Sequence, residues 1–439
     1  MEIFLCNLSI FRRATMSLPL PLELSPCYNV RRTCESLMNN EENKVVEINK
    51  SELKKLSEEI CQSIENNKNS KKDGDNSSSS IIVEWDEEGW HYTGMDYQRP
   101  FLSNYKERQR IERVALYVLA LDSINFCFWP SSNPIKMNHD NHNNNPLEYE
   151  HLAIALQRMA CADDILPTNN NHHTNSETNA ANKNNNENQM IIQAEDSYAF
   201  SPQRLSQLTP EEFLRQLQPH LPSSSSTNNN NNNNDEQVGT FELDNMEERV
   251  RLLRELGLGL LHHYHGSASY MISQAHKRAD TLVHLLTSNF PGFRDSSISQ
   301  VNGRQMFFYK RAQICVGDLW ASLHTSFESC NFVDMDLLTT FADYRIPQLL
   351  RTVGVMSYSQ DLASLVDSNT ILPAGSNYEV YIRAATVVAV ELLVKELRET
   401  YNIHTMTAVK LDWYLWQLGE KRHQQHQLQP FHKVKTIFY

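Results

Sequence analysis

Apolar residues recur every three to four positions over long stretches of the chain, which is the pattern of amphipathic helices. The stretch 107–129 opens with charged residues and becomes almost continuously apolar from Val114, as a helix does when it enters a core. Thr209, followed by Pro210 and two acids, has the chemistry of a helix start. Predicted helices span 107–129, 148–162, 246–264, 268–288, 310–327, 334–341, 346–355, 378–400 and 410–419, with another starting at Thr209.

One small β-hairpin is predicted around Gly303, which is flanked by Val301 and by the apolar residues that start at Met306. Four segments rich in Asn or Ser, near residues 66–80, 131–146, 165–197 and 222–238, are too poor in apolar residues to form a core. We expect these segments to be disordered inserts. Without them and an N-terminal tail at 1–22, roughly 300 residues remain, enough for one core. The sequence therefore predicts a mainly α fold with a single compact domain over 23–439.

The net charge, the cysteine content and the absence of certain motifs limit the classes of function that the sequence supports. The formal net charge of −13 disfavours an intact nucleic acid as partner, because such binding relies on Lys and Arg, but it permits a single nucleotide in a locally basic pocket. Eight Cys without a C-x-x-C pair indicate reduced thiols, so we expect a cytoplasmic protein. We also expect the protein to be a monomer. No apolar run approaches the roughly 18 residues of a membrane helix. Neither a Walker loop, a G-x-G-x-x-G motif nor metal-ligand spacing is present, so no cofactor or metal is predicted.

Cations, isolated acids and aromatic residues are concentrated between residues 307 and 345, within helix-compatible sequence. A buried charge costs several kcal/mol unless it is paired, so a segment that only packs would contain few of them. This combination suits a ligand with a phosphate, a flat ring and a developing positive charge between them. A nucleotide whose base is being removed has these features.

Asp343 is the main catalytic candidate, because it lies between Phe341 and Tyr344 and next to Arg345. A carboxylate there can stabilise or attack an oxocarbenium ion. The alternatives are an ion pair with Arg345 or an N-cap for the helix that starts near Pro347.

Further polar residues interrupt apolar sequence. Lys310 and Arg311 diverge by about 100° on a helix, so we expect one to bind phosphate and the other to be solvated. Asp318 is expected to be a buried partner for a cation. Asp122 and Asn125 either order a buried network or touch a ligand.

Two other positions remain open on pattern alone. His91, in a Gly-flanked segment, is either exposed or functional. Asp412, followed by Trp413, Tyr414 and Trp416, either forms the wall of an aromatic box or belongs to the core.

A series of motifs in one order resembles the queuosine salvage protein family. The resemblance covers nearly everything outside the inserts and the extreme N-terminus. The motifs lie at 121–129, 149–153, 290–295, 309–314, 341–348, 379–384, 411–416 and 430–432.

This resemblance implies a helical fold akin to helix-hairpin-helix DNA glycosylases. It also implies that the substrate is queuosine 5′-monophosphate and that the base queuine is released for reuse in tRNA. Asp343 would be the nucleophile or transition-state stabiliser and Phe341 would contact the base. Asp412, Trp413 and His91 would lie at the site. Gln417 stands where family members often have an acid.

The chemistry of the substrate is consistent with these roles. Queuine has carbon at position 7, so it cannot be protonated there to assist departure, and stabilisation of the ribosyl cation gains importance. Lys310, Arg311 and Arg345 are candidates for the 5′-phosphate. A DNA-glycosylase-like enzyme and a non-catalytic nucleoside-binding protein are the alternative functions.

Overall fold

The computed structural model describes residues 18–40, 45–72, 107–129, 149–162, 198–221 and 244–439. His91 lies outside these residues, as does most of each predicted insert. The first predicted insert overlaps a helix that continues to Lys72.

Helices dominate the described part of the chain, which confirms the mainly α prediction. They are α1 Pro26–Met38, α2 Lys50–Lys72, α3 Glu107–Ser123, α4 Tyr149–Ala162, α5 Pro202–Gln207, α6 Pro210–Leu217, α7 Met246–Tyr264, α8 Ala268–Ser273, α9 Ala279–Asn289, α10 Lys310–Leu323, α11 Arg345–Thr352, α12 Gln360–Asp367, α13 Asn377–Glu399 and α14 Ala408–Gln424. Short 3-10 helices lie at Leu22–Leu24, Gln218–His220, Pro291–Phe293, Glu328–Cys330 and Met335–Leu337. The likeness to DNA glycosylases stays a prediction.

Three two-stranded sheets accompany the helices in the described ranges. Strand β1 (Val46–Ile48) pairs antiparallel with β4 (Met356–Tyr358), and β5 (Ile371–Leu372) pairs parallel with β6 (Lys433–Val434). The predicted hairpin is confirmed, since β2 (Ser296–Ile298) pairs antiparallel with β3 (Gln305–Phe307). Gly303, between these two strands, has φ of +65°, a conformation that a residue without Cβ adopts at little cost.

Side-chain hydrogen bonds explain where one helix begins and where another ends. The Thr209 hydroxyl accepts from the amide of Glu212 at 3.2 Å, which confirms the helix start predicted there. The helix predicted over 107–129 ends at Ser123, because buried arginine side chains bind the carbonyls that a longer helix would use. Arg249 donates to the Phe126 carbonyl at 2.7 Å, and Arg311 donates to that of Ser123.

Two other predicted helices are wrong in extent. The stretch 268–288 divides into α8 and α9, because His276 and Lys277 have φ of +50° and +60°. The stretch 334–341 contains only the 3-10 turn Met335–Leu337. Its amides bind side chains from other helices instead: Thr339 donates to Gln313 at 2.8 Å and Phe341 donates to Asp412 at 2.8 Å.

The core of the described residues forms two clusters of buried side chains. One is built mainly from α3 to α10, and the other from α1, α2 and α11 to α14. Tyr309 and Tyr344, both partly buried, pack against both clusters. The loop that carries Asp343 runs along this boundary, next to the residues that follow α3 and to the inner face of α14.

A buried ion pair fixes the start of α10. Arg383 donates to both oxygens of Asp295, at 2.8 and 2.6 Å, and Asp295 also accepts from the amide of Lys310 at 3.0 Å. Removing one partner of such a pair typically costs about 3–5 kcal/mol, because the other charge is left buried and unpaired. The first residue of α10 is thereby held in place. In the described ranges, no helix is both long and apolar enough to cross a membrane.

Candidate active site

A cavity of about 250 Å³ opens at the boundary between the two clusters. Its walls come from the loop after α3, the start of α10, the loop before α11, the inner face of α14 and the segment that follows α14. They combine aromatic rings with side chains of both charges. The lining residues are Asn125, Phe126, Phe128, Trp129, Tyr149, Lys310, Ile314, Phe341, Asp343, Tyr344, Arg345, Asp412, Trp416, Glu420, His423, Phe431, Lys433 and Tyr439.

Asp343 lies half-buried in the cavity wall and caps α11. Its Oδ1 accepts from the amides of Arg345 at 2.8 Å and Ile346 at 3.3 Å. The capping role considered from the sequence is therefore present. The alternative ion pair with Arg345 is wrong, because that guanidinium donates to Glu420 at 2.7 Å and to Gln348 at 2.7 Å. Capping orients the carboxylate of Asp343 at the cavity surface.

Asp412 anchors the same loop from α14. Its Oδ1 accepts from the Phe341 amide at 2.8 Å and from the Thr340 hydroxyl. Burial raises the pKa of Asp412 to about 7, and the neighbouring carboxylate of Asp343 adds to this effect. The two hydrogen bonds and the charge of Lys310 oppose it. A carboxyl with this pKa changes its charge at neutral pH.

Lys310 lines the cavity and is buried. Its Nζ lies 3.5 Å from both the backbone carbonyl and Oδ1 of Asn125, and the Asn125 amide donates to Asp122 at 3.3 Å. Burial lowers the pKa of Lys310, while Asp343, Asp122 and Asp412 act in the opposite direction. Asp122 and Asn125 therefore form the buried network considered from the sequence, and Asn125 also lines the cavity.

Arg311 points away from the cavity and binds the carbonyls of Ser123 and Gly292. The expectation that one of Lys310 and Arg311 is solvated is wrong, because 4% and 1% of these residues are exposed. Their divergence on α10 directs one side chain to the cavity and the other to the loops beside α3.

Asp318 is completely buried, and the prediction that it pairs with a cation is wrong. Neither of its oxygens has a hydrogen-bond partner among the described residues, and none of their ion pairs includes it. Burial, reinforced by the charge of Asp122, raises the pKa of Asp318 well above its usual range. The neutral acid is therefore the favoured form inside the fold.

The residues predicted on α14 divide between cavity and core. Trp413 is buried and stacks on Trp320 with ring centroids 6.1 Å apart, as a core residue does. Gln417 does not line the cavity. Trp416 and Glu420 do, because they follow Asp412 by four and eight positions on one helix face.

Several lining residues were not predicted from the sequence as site residues. From the sequence, Trp416 is predicted only as a member of an aromatic box with Asp412, and the four-residue spacing that joins them could also have indicated Glu420. Lys433 follows the last motif and has no pattern that would single it out. No group of His, Cys, Asp or Glu in the described ranges has the arrangement of a metal site.

The comparisons with known proteins agree on one family. The family model described as "Queuosine salvage protein" matches residues 103–209 and 216–439. A protein of Dictyostelium discoideum named queuosine 5′-phosphate N-glycosylase/hydrolase is 33% identical over 357 residues, which are 81% of this chain and 85% of the relative.

Relatives of the same name in Sphaerobacter thermophilus and Bos taurus are 39% and 37% identical over 201 and 200 residues. These alignments cover 46% and 44% of this chain, and 60% and 58% of the relatives' own lengths.

Proposed function

Because this chain belongs to the queuosine salvage protein family, we propose that it hydrolyses the N-glycosidic bond of queuosine 5′-phosphate. The bond between the base and ribose C1′ breaks with its electron pair on the base. Water supplies a hydroxyl to C1′ and a proton to the base, so the products are queuine and ribose 5-phosphate. The position of Asp343, oriented by α11 in the wall of an aromatic cavity, carries this proposal.

Asp343 stabilises or attacks the ribosyl cation. Positive charge develops at C1′ as the base leaves, and a pre-oriented carboxylate lowers the energy of that state. The capping bonds hold Asp343 before the substrate arrives, so little reorganisation is needed. This contribution is large for a 7-deazaguanine, because protonation at position 7 cannot assist the leaving group.

The aromatic walls and Asp412 bind the base. Phe341 and Tyr344 line the cavity beside Asp343, and their rings supply apolar contacts for the base. The Asp412 carboxylate accepts from the amino edge of the base or from the cationic secondary amine of queuine. Since both of its internal hydrogen bonds end on Oδ1, its other oxygen serves the ligand.

The positive charge of Lys310 offsets the negative charges of Asp343, Asp122 and Asp412 around the cavity. Its charge favours the ionised form of Asp412, the form that accepts hydrogen bonds from the base. Asn125 and Asp122 act as positioning residues, because Asn125 accepts from Nζ of Lys310 and in turn donates to Asp122.

The direct experiment is to incubate the purified protein with queuosine 5′-phosphate, queuosine and guanosine 5′-phosphate in parallel, and to follow the free base by chromatography. We expect queuine from queuosine 5′-phosphate, little or no base from the other two, and loss of release in Asp343→Asn. Tight binding of queuosine 5′-phosphate without release would instead support a non-catalytic binding protein.

Location and product complete the proposal. Six cysteines in the described ranges are free thiols, which supports a reducing compartment and hence the cytoplasm. The released queuine is available there for reuse in tRNA, and the protein acts as a monomer on a small nucleotide without a cofactor.

A further inference from the structure

We infer that Lys433 binds the 5′-phosphate of the substrate. This inference rests on the proposed function and adds a residue to the same site. A phosphate in a partly enclosed cavity needs a cation whose charge is not already neutralised, since charge-assisted hydrogen bonds supply most of the binding. Among the lysine and arginine side chains of the cavity, the surroundings of Lys433 fit this requirement best.

Two other cations of the cavity already have partners. Arg345 is paired with Glu420 at 2.7 Å and is also bound to Gln348. Lys310 is held by Asn125 and is close enough to Asp343, Asp122 and Asp412 to be influenced by all three charges. A phosphate at either cation would also meet the carboxylates that neutralise it.

Arg311 is excluded by position. It does not line the cavity, it is buried, and its guanidinium binds the carbonyls of Ser123 and Gly292. Binding phosphate would break these bonds and leave both carbonyls buried without donors.

Lys433 has no such compensation. It lines the cavity, and none of the ion pairs within the described ranges includes it. Its Nζ lies 5.8 Å from the ring centre of Trp129 and 5.7 Å from that of Phe431. Burial lowers the pKa of Lys433, but aromatic faces attract a cation without pairing it with an opposite charge, so the ammonium can still pair with an anion.

The backbone around Lys433 is fixed, so the side chain starts from a defined place. Lys433 is opposite Ile371 in the pairing of β5 with β6, and the next residue, Val434, is buried. The Phe431 ring that flanks the ammonium also packs against the tilted ring of Tyr344, with ring centroids 4.8 Å apart, and Tyr344 follows Asp343 directly. The proposed phosphate site is therefore joined to the catalytic carboxylate by two contacting aromatic rings.

The test uses Lys433→Ala and Lys433→Arg, with Lys435→Ala as matched control because Lys435 is exposed on the same segment. We expect Lys433→Ala to raise KM for queuosine 5′-phosphate on the order of ten- to a hundredfold, as for loss of a charge-assisted hydrogen bond. Lys433→Arg should restore most of the affinity, and Lys435→Ala should match the wild type.

Product inhibition separates phosphate binding from a structural role. In Lys433→Ala, inhibition by ribose 5-phosphate should weaken by the same factor, while inhibition by queuine should stay at the wild-type level. An equal loss for both products, or no loss for ribose 5-phosphate, would overturn the assignment. Absence of queuine release by the wild type would be a failure of the proposed function. Lys433 would then be judged by calorimetric binding of ribose 5-phosphate to the wild type and Lys433→Ala.

Discussion

The carboxylate of Asp412 accepts a hydrogen bond from the backbone amide of Phe341 at 2.8 Å, across 71 residues of sequence. Because the hydroxyl of Thr340 binds the same oxygen, two consecutive residues of the loop are tied to α14. Asp343 lies two residues beyond Phe341 and is tied in turn to the start of α11. Asp343 is therefore positioned by α11 on one side and by Asp412 of α14 on the other. Asp412 is a second acid that lines the cavity.

Asp343→Asn should lower kcat by about 10² or more, with little change in stability. The amide oxygen of Asn can still accept from the amides of Arg345 and Ile346, so α11 keeps its cap. What is lost is the negative charge that we propose stabilises C1′, and removing one electrostatic stabiliser typically costs about 10²–10³ in rate. Steady-state release of queuine, together with thermal unfolding, measures both effects.

Asp361→Asn is the matched control for this substitution, because Asp361 lies in the first turn of α12 and is exposed. It should leave kcat unchanged. Near-normal turnover by Asp343→Asn would show that another group stabilises the ribosyl cation.

Asp412→Asn should remove an acidic limb from the pH profile of kcat/KM. Burial first, and then Asp343, raise the pKa of Asp412 to about 7. The carboxylate that we propose accepts hydrogen bonds from the base is therefore lost as pH falls through about 7. The wild type should lose kcat/KM over that range, while Asp412→Asn should be lower throughout and flat there.

The substrate phosphate also titrates, with a pKa near 6. The two variants must for this reason be compared on the same substrate from pH 5.5 to 9. A limb that persists unchanged in Asp412→Asn belongs to the substrate or to another group, and the assignment to Asp412 would then be wrong.

Lys310→Met should move the same limb to higher pH. The charge of Lys310 lowers the pKa of Asp412, so its removal lets burial and Asp343 raise that pKa further. The influence of Lys310 on this pKa is smaller than that of burial or Asp343, so kcat/KM at pH 6 should fall roughly severalfold. Lys435→Met, at an exposed position, should leave the limb in place. A loss of activity at every pH without movement of the limb would contradict this role.

Local patterns predicted the helices well, and non-local contacts decided where the predictions failed. The period of apolar residues located 246–264 correctly, because both ends of α7 are determined nearby in sequence. The stretch 334–341 looked helical by the same criterion. Its amides instead donate hydrogen bonds to Gln313 and Asp412, which are distant in sequence. The spacing of apolar residues does not encode such contacts.

The candidate site shows the same division. Asp343, Phe341, Tyr344 and Arg345 are adjacent in sequence, and the structure places all four at one cavity. The cations were harder to sort, since Lys310 and Arg311 are neighbours whose side chains diverge. Lys433 lines the cavity from β6, whose pairing with β5 is a tertiary contact that the local sequence does not predict.

Asp318 lies on α10, eight residues beyond Lys310. We expect Asp318→Asn to stabilise the fold at alkaline pH. Burial, and then Asp122, raise the pKa of Asp318 in the folded protein, whereas in the unfolded chain an Asp ionises near pH 4. Above pH 4 the folded state therefore holds more protons than the unfolded state. The free energy of unfolding falls as pH rises across this window.

An Asn at position 318 has no charge to lose, so this part of the pH dependence should disappear. Relative to the wild type, Asp318→Asn should raise Tm on the order of a few °C at pH 8 and by less at pH 5. Asp122 is buried, has a raised pKa and interacts with Asp318, so the difference between the two proteins reports Asp318 together with its coupling to Asp122. Thermal unfolding at the two pH values, with Asp361→Asn as control, measures this. A Tm that falls in Asp318→Asn at pH 8 would mean that the carboxylate is stabilised by a partner, and that the folded protein keeps Asp318 ionised.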